Sequence, residues 1–284
     1  MLDGALAAAY LERLGVDARP GEVDAAMLAA LQRAHVAAVP YENIDIVRGS
    51  PPGIDPYDCV RRVLAGRGGY CYHLNGSFAT VLEWLGVDLT RHLSGVQGRG
   101  ADAPGPNGNH LGLTVRVNGS VWLVDAGLGD GPKEPLPLAP GTYERDGFVY
   151  RVEPSPFTAD GWRLRHDPRG AFELVDFSAG PATTTDFLEM HTRLSTNPES
   201  GFVRVAAVLR HTPGGVDILR GCIFTERTQA GDTVREIDSA DDWWSLVIDR
   251  FGLAYGDLTP AERNDLWRRV RAGHEDWQAE TQSS

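Results

Sequence analysis

Residues 110–125 read HLGLTVRVNGSVWLVD, with a short apolar segment on either side of Asn118-Gly119. An Asn-Gly pair favours a two-residue type I′ turn, because both central positions of that turn require positive φ. The flanking segments therefore predict two antiparallel strands joined by a tight hairpin, with Val117 opposite Ser120. This register fixes which side chains of the two strands share a face.

The same register places His110 and Asp125 on one face of the hairpin, because Asp125 then lies opposite Gly112. Diagonal neighbours of this kind are about 7–8 Å apart at Cα, which is within side-chain reach. We expect the carboxylate to hold one imidazole nitrogen and to leave the other for a thiol. A three-residue turn would put the two side chains on opposite faces, and a carboxylate that only caps the turn at Gly127 is a further alternative.

Cys71 is the candidate thiol, since it follows Arg67-Gly68-Gly69-Tyr70 and opens an amphipathic helix. The start of a helix carries a partial positive charge and free N–H groups, and both stabilise a thiolate. The two glycines allow a tight backbone turn and leave space beside the sulfur. The alternative is a small core residue, which is the interpretation favoured for Cys59 and Cys222.

Glu42 and Arg67 form a candidate supporting pair, because each lies at the end of a predicted helix near the proposed cleft. An ion pair between them would fix the loop that precedes Cys71. Two solvated surface charges are the alternative interpretation.

The periodicity of the chain changes twice. Helical patterns fill the first third, up to about Val87, and include a helix that Asp24 caps. Short alternating segments separated by Gly, Pro or Asn follow and predict antiparallel strands, and the chain is mixed after Phe187. In that last part we predict strands at 203–209 and 217–225 and a final helix that begins at a capping box at 259–262. The predicted class is α+β.

Composition excludes several kinds of function. The 284 residues carry a formal charge of −12, which argues against nucleic acid or an anionic membrane as a partner. No apolar run approaches the roughly 20 residues that span a bilayer, and the start lacks a signal-peptide pattern, so we expect a cytoplasmic protein. Three widely spaced cysteines do not suggest disulfides. Because CxxC, HExxH and Walker motifs are absent, we expect no bound metal.

The motifs resemble those of the arylamine N-acetyltransferase family. The resemblance rests on segments that follow the family's order, with weaker similarity at 135–138 and 186–202: Pro40-Tyr41-Glu42-Asn43, Arg67-Gly68-Gly69-Tyr70-Cys71, His110, and Leu123-Val124-Asp125-Ala126-Gly127-Leu128-Gly129.

This resemblance implies three parts around a catalytic core like that of cysteine proteases and transglutaminases. A helical bundle at 1–88 would carry Cys71, an antiparallel β-barrel at 89–200 would carry His110 and Asp125, and an α/β lid would fill 201–284. It also implies that Glu42 pairs with Arg67. Substrate and co-substrate would contact a further set of residues: Tyr41, Tyr72, Val96, Asn109, Leu128, Gly129 and Phe202.

The implied reaction is a ping-pong transfer. Acetyl-CoA or another acyl-CoA would acylate Cys71, and an arylamine, arylhydrazine or related amine would then attack the thioester while His110 takes a proton. We expect no metal, nucleic acid or membrane to take part.

Three residues depart from the family pattern. His73 stands where the family often has Glu, and it is either a structural replacement or a change of charge near the thiol. Leu128 and Tyr41 each replace a Phe that lines the acceptor pocket in the family. The acceptor pocket of this chain therefore has a different shape.

Three other functions remain open at this point. An amide synthase would keep the mechanism but take its acyl chain from an acyl carrier protein thioester. A Cys-His-Asp hydrolase would use water as the acceptor, although the long C-terminal segment is expected to cover the cleft. A non-catalytic binding protein would have no use for the intact constellation of Cys71, His110 and Asp125.

Overall fold

The computed structural model describes residues 2–98 and 104–282. Its α-helices are α1 (Gly4–Leu14), α2 (Ala25–Ala38), α3 (Ile44–Val47), α4 (Pro56–Leu64), α5 (Cys71–Trp84), α6 (Leu188–Thr196), α7 (Gly201–Arg204), α8 (Ala240–Ser245) and α9 (Pro260–Gln282). A 3₁₀ turn at Thr184–Phe187 precedes α6, and a π-helical turn at Leu246–Arg250 follows α8.

The strands form two antiparallel sheets. In chain order they are β1 (Tyr41–Glu42), β2 (Asp88–Gln97), β3 (His110–Val117), β4 (Ser120–Val124), β5 (Leu136–Pro137), β6 (Gly141–Arg145), β7 (Phe148–Pro154), β8 (Trp162–Arg165), β9 (Leu174–Phe177), β10 (Ala207–Thr212), β11 (Gly215–Arg220), β12 (Ile223–Thr228) and β13 (Gly231–Glu236).

The N-terminal helices form where caps and apolar faces coincide. Asp24 caps α2 as predicted, because its carboxylate accepts a hydrogen bond from the backbone N of Met27 at 2.7 Å. α1 contacts α5 through the hydroxyls of Tyr10 and Ser77, which lie 3.1 Å apart. Phe78, the next residue of α5, is also fully buried. α5 is therefore the central helix of this bundle, and Cys71 is its first residue.

The central sheet has eight strands in the order β5-β4-β3-β2-β9-β8-β7-β6, and it curls into the predicted barrel-like form. Its β3–β4 hairpin has the predicted register, with Val117 opposite Ser120. Asn118 and Gly119 occupy the turn with φ of 50° and 75°, as a type I′ turn requires. The side-chain amide of Asn75 on α5 donates to the carbonyl of Leu111 at 2.7 Å and so attaches this sheet to the helices.

The second sheet has five strands in the order β1-β10-β11-β12-β13. Helices α8 and α9 and the turn between them cover it, with Trp243, Phe251 and Leu266 in a buried cluster. Its edge strand β1 comes from the N-terminal part of the chain, and Tyr41 pairs there with Leu209. The predicted fold class, a helical bundle with a barrel-like antiparallel sheet and a C-terminal α/β part, is confirmed.

Both strand predictions in the last part find strands, β10 at Ala207–Thr212 and β11 and β12 within 217–225, but their bounds are wrong. Residues 201–204 are the helix α7, since the hydroxyl of Ser200 accepts from the backbone N of Phe202 and caps it. Residues 217–225 are two strands, because the chain turns at Gly221 with φ of 56°. The apolar alternation continues through this turn without the Pro or Asn that would have marked it.

The predicted capping box at the start of α9 is confirmed. The Thr259 hydroxyl donates to the Glu262 carboxylate at 2.7 Å. The backbone N of Glu262 donates in return to the Thr259 hydroxyl at 3.3 Å. Within residues 2–98 and 104–282, no helix combines the length and the apolar character that a membrane span needs.

Candidate active site

His110 and Asp125 meet at the open end of the β3–β4 hairpin. The His110 Nε2 and the Asp125 Oδ2 lie 2.6 Å apart, and the two residues are 1% and 4% exposed. The second oxygen of Asp125, Oδ1, accepts from the backbone N of Gly127 at 2.9 Å. The carboxylate therefore holds the imidazole and caps the turn at the same time, so both interpretations of Asp125 describe part of its role.

Cys71 lies next to this pair at the first position of α5. Its thiol is 3.6 Å from the carbonyl oxygen of Asn109, and its side chain hydrogen-bonds with His110. Because Asp125 occupies the Nε2 of His110, Nδ1 is the nitrogen left for the thiol. Three elements thus bring the three predicted residues together: the start of α5, the start of β3 and the end of β4.

The neighbours of His110 favour the cationic form of its imidazole. Complete burial lowers the pKa of His110, but the charge of Asp125, the hydrogen bond to it and the neighbouring Cys71 outweigh burial and raise that pKa to about 10. The positive charge therefore sits between a carboxylate and a sulfur.

Asn75 positions the carboxylate, a role that the sequence did not predict. Its side-chain N donates to the Oδ1 of Asp125 at 2.9 Å, and its side-chain O accepts from the backbone N of Ala126 at 2.8 Å. Gln32 adds a contact from α2, where its Oε1 accepts from the backbone N of Asp125 at 3.2 Å. The signal for Asn75 was its place one turn after Cys71, on the same face of α5.

Glycines near Cys71 are required by close approach and not by backbone conformation. A Cβ on Gly68 would lie 2.0 Å from the carbonyl oxygen of Pro40, although the φ of Gly68 is not positive. A Cβ on Gly127 would lie 2.8 Å from the Cα of Cys71. Gly68 is therefore required because two backbone segments touch there, and the prediction that it allows a tight turn is wrong.

The predicted ion pair between Glu42 and Arg67 is wrong, because Arg62 takes that place. The Arg62 Nη2 lies 2.6 Å from the Oε1 of Glu42 and 2.7 Å from the Oδ2 of Asp45. Burial lowers the pKa of Arg62, but the two carboxylates raise it above its usual value. The Arg62 Nε also donates to the carbonyl of Gly68 at 2.6 Å. Arg62 therefore fixes the loop before the nucleophile, which is the role expected of Arg67.

Arg67 instead reaches the C-terminal part of the chain. Its Nη2 lies 2.6 Å from the Oδ1 of Asp257, and its guanidinium group stacks 3.6 Å from the centre of the Tyr255 ring. The Tyr255 hydroxyl donates to the Oε2 of Glu42 at 3.2 Å. Glu42 and Arg67 thus contact the same tyrosine, which connects them without an ion pair.

A cleft of about 630 Å³ begins beside the candidate triad and is here called the active-site cleft. Its wall includes Asn109, whose carbonyl contacts the Cys71 thiol, and Phe202. Asn43 supports that wall, since its side-chain N donates to the carbonyls of Phe202 and Val205, both at 2.8 Å. Most of the residues predicted to bind substrate line this cleft: Tyr41, Val96, Asn109, Leu128, Gly129 and Phe202.

Tyr72 was predicted to contact substrate, but it does not line the active-site cleft. It is 1% exposed, and its hydroxyl donates to the carbonyl of Gly108 at 2.6 Å. The second position of α5 points into the protein, against Phe187, and not toward the cleft. Tyr72 therefore supports the loop before β3.

Comparison with known proteins identifies the chain's relatives. Residues 24–258 match a family model described as N-acetyltransferase. An arylamine N-acetyltransferase from Mycolicibacterium smegmatis is 35% identical over 260 residues, which covers 88% of this chain and 92% of the relative. The chain belongs to the arylamine N-acetyltransferase family.

Solved structures of the arylamine N-acetyltransferase family share the fold. One of them, the Mycobacterium marinum arylamine N-acetyltransferase in complex with CoA, superposes with a TM-score of 0.83 at 28% identity and covers 93% of this chain and 97% of its own. A proansamycin X synthase from Amycolatopsis mediterranei is 34% identical over 149 residues, which is 50% of this chain and 56% of the synthase.

His73 departs from the family pattern and is buried behind the Cys71 loop. It is 2% exposed, and its ring centre lies 5.1 Å from that of Tyr70 and 6.1 Å from that of His191. Burial, the charge of Arg62 and the neighbouring His191 together lower the pKa of His73 to about 3. His73 is therefore neutral and adds no charge near the thiol, which favours a structural replacement over a change of charge.

Proposed function

We propose that this enzyme transfers an acetyl group from acetyl-CoA to an arylamine, an arylhydrazine or a related amine through a thioester on Cys71. The observation that carries the proposal is the Cys71, His110 and Asp125 constellation beside the active-site cleft, with 2.6 Å between the imidazole and the carboxylate. A cationic imidazole beside a sulfur stabilises the thiolate, which is the nucleophile.

In the first half-reaction, the Cys71 sulfur attacks the thioester carbonyl of acetyl-CoA. A new carbon–sulfur bond forms, the bond to the CoA sulfur breaks, and the imidazolium of His110 gives its proton to the departing CoA thiolate. Asp125 holds the ring in place through Nε2 during this exchange and Asn75 holds Asp125.

In the second half-reaction, the nitrogen of the amine attacks the acetyl group on Cys71. The bond to the Cys71 sulfur breaks, and the neutral His110 accepts the proton that the amine loses, which restores the starting state. Cys71 is 4% exposed and the cleft above it is largely apolar, so water is a poor competitor of the amine. This disfavours the hydrolase.

The remaining predicted residues have supporting roles in this proposal. Tyr41, Val96, Asn109, Leu128, Gly129 and Phe202 contact the acyl group and the amine from the walls of the cleft. Glu42 keeps the Cys71 loop in place through Arg62. We also infer a cytoplasmic location, because all three cysteines are free thiols, as a reducing compartment maintains them.

Intact-mass measurement after incubation with acetyl-CoA alone tests the proposal. We expect one acetyl group on Cys71 and none on Cys71→Ser. Cys59→Ser and Cys222→Ser are matched controls that keep the adduct, because burial raises the pKa of these thiols to about 12 and about 11. An adduct that forms on Cys71→Ser, or acetate release that an added amine does not accelerate, would contradict the acyltransferase.

An amide synthase that accepts its acyl chain from a carrier protein is the second candidate. Leu128 favours it, because an aliphatic side chain replaces an expected aromatic ring in the wall of the cleft. The partial similarity to proansamycin X synthase is a second reason. If an acyl carrier protein thioester acylates Cys71 and acetyl-CoA does not, the carrier protein is the donor.

A further inference from the structure

The helices α6 and α7 form one wall of the active-site cleft, here called the α6–α7 wall. Residues of both helices line the cleft, at positions three or four apart on α6: Met190, Arg193, Leu194, Asn197 and Phe202. Side chains at this spacing share one face of a helix. The nine residues of α6 are mostly accessible, and its buried residues are His191 and Ser195. The buried side chains of this helix are therefore polar, so its attachment depends on the hydrogen bonds that they make.

His191 attaches α6 to the loop that carries the nucleophile. Its Nδ1 lies 2.5 Å from the hydroxyl oxygen of Tyr70, which immediately precedes Cys71. His191 also hydrogen-bonds with the backbone of Pro52. Because proline has no N–H, that partner is a carbonyl, which can only accept, so the Nε2 of His191 carries the proton. Nδ1 is then the acceptor, and the Tyr70 hydroxyl donates to it.

The ring of Tyr70 contacts the same wall. Its centre lies 5.2 Å from the centre of the Phe202 ring, which it meets edge-on. Tyr70 is completely buried, and within the described part of the chain its hydroxyl has no hydrogen-bond partner other than His191. The residue next to Cys71 therefore holds the α6–α7 wall at two points, one on each helix.

Two acceptors compete for an acetyl group on Cys71, an amine and water. Water would give acetic acid and the free thiol: its oxygen bonds to the acetyl carbon, the bond to the Cys71 sulfur breaks, and one proton passes through His110 to the sulfur. A wall held close to the sulfur keeps the amine in position and leaves little room for water. The attachment of the α6–α7 wall therefore bears on which acceptor reacts.

We propose that Tyr70 and His191 are a positioning pair for the second half-reaction, which holds the α6–α7 wall against the Cys71 loop and so favours the amine over water. This rests on the proposed function, because it concerns the acetyl group on Cys71. The pair acts through the position of the wall. A small amine depends on that wall far more than a large CoA thioester does, so acetylation of Cys71 is little affected.

Hydrolysis of the acetylated enzyme tests the pair and needs no amine. Wild type, Tyr70→Phe and His191→Leu are acetylated with acetyl-CoA and freed of excess donor, and loss of the acetyl group is followed by intact mass. We expect this loss to be about five- to tenfold faster in both variants, as removal of one buried hydrogen bond allows. Their KM for aniline should rise to a similar extent, while the rate of acetylation by acetyl-CoA stays within about twofold.

Three further variants separate positioning from general damage. Tyr10→Phe removes another completely buried tyrosine hydroxyl, which lies 3.1 Å from that of Ser77 and outside the cleft, and should hydrolyse at the wild-type rate. His191→Asn keeps an acceptor near the place of Nδ1 and should restore most of the wild-type behaviour. Tyr70→Phe/His191→Leu should be no worse than either single variant, because all three lack the same hydrogen bond.

The outcomes distinguish the pair from the proposed function. Wild-type hydrolysis in both Tyr70→Phe and His191→Leu would overturn the pair, as would equal acceleration in Tyr10→Phe. A fall in Cys71 acetylation as large as the fall in transfer to aniline would overturn it too. If Tyr70→Phe does not fold, the comparison of His191→Leu with His191→Asn decides. Wild-type protein that acetyl-CoA does not acetylate on Cys71 sinks the proposed function and the pair with it.

Discussion

The side-chain amide of Asn75 lies 2.9 Å from the Oδ1 of Asp125, and the same amide accepts the backbone N–H of Ala126 at 2.8 Å. One residue on the helix of Cys71 thus fixes the carboxylate that fixes His110. The relative position of nucleophile and base depends on this contact between α5 and the end of β4.

Asn75→Ala should therefore slow acylation of Cys71 without preventing it. The carboxylate would lose one donor, and the buried carbonyl of Leu111 and the N–H of Ala126 would lose their partners, at a cost of about 2–4 kcal/mol in the free energy of unfolding. We expect kcat/KM to fall about 10–100-fold. Urea unfolding and single-turnover acetylation measure the two effects, with the exposed Asn264→Ala as the control. Wild-type acylation in Asn75→Ala would show that Asp125 needs no such support.

Arg62→Met should destabilise the protein far more than Arg61→Met on the same helix. Arg62 is the cation that pairs with the fully buried carboxylate of Glu42, and removing it leaves a buried charge uncompensated. We expect a loss of about 3 kcal/mol in the free energy of unfolding. Arg61 and its partner Asp58 are exposed, so Arg61→Met should change the free energy of unfolding by no more than about 0.5 kcal/mol.

Denaturant unfolding at neutral pH gives both free energies. In the folded fraction of Arg62→Met, Cys71 should also be acetylated more slowly, because the carbonyl of Gly68 loses its hydrogen-bond donor. Equal stabilities of the two variants would mean that Glu42 is not charged in the folded protein.

Gly127→Ala should impair acylation by steric contact. The added methyl group would lie 2.8 Å from the Cα of Cys71 and 3.0 Å from the Nδ2 of Asn75, so one of the two must move. We expect at least a tenfold lower rate of Cys71 acetylation, since a displacement of about 1 Å is enough for a large loss. Gly180→Ala, where the methyl group meets open space, is the matched control. An unchanged rate would show that the loop after β4 yields easily.

His35 should make the protein sensitive to acid. It is completely buried, burial lowers its pKa to about 3, and neither ring nitrogen has a hydrogen-bond partner among the described residues. Below about pH 6.5 the unfolded chain binds a proton at His35, but the folded protein does not until the pH nears 3. Neutral His35 therefore contributes fully to the free energy of unfolding above pH 6.5, and this contribution is lost as the pH falls toward 3. At pH 5 the loss is about 2 kcal/mol.

The free energy of unfolding of His35→Phe, compared with wild type at pH 8 and pH 5, measures this effect. The variant should lose about 2 kcal/mol less than wild type between the two values. A parallel decline in both proteins would assign the acid sensitivity to other groups, such as His73 and His211, whose pKa values burial also lowers to about 3.

The hairpin at Asn118-Gly119 was predictable because its geometry is local. Turn type fixed the register, and the register placed His110 beside Asp125. The capping box at Thr259 was predictable for the same reason. Both features depend on residues that are close to each other in the sequence.

Ion-pair partners were not predictable, because several arginines compete for one carboxylate. Glu42 could be matched in the sequence to Arg61, Arg62 or Arg67, and only the packing of α4 against the Cys71 loop selects Arg62. The orientation of Tyr72 also follows from tertiary packing, since it depends on Phe187, which is distant in sequence. Gly221 shows the reverse case: the turn is local, but the surrounding apolar alternation conceals it.

The two-residue strand β1 has a consequence for the order in which the protein is completed during synthesis. Tyr41 forms a bridge with Gly69 just before the nucleophile, but its neighbour in the sheet is Leu209. The contacts of Glu42 with Tyr255 and of Arg67 with Asp257 likewise form only after the C-terminal part has been made. A ribosome that has released only the first 200 residues has therefore made all three reacting side chains but not the wall that seats them. The reactive thiol becomes competent only when nearly the whole chain has emerged.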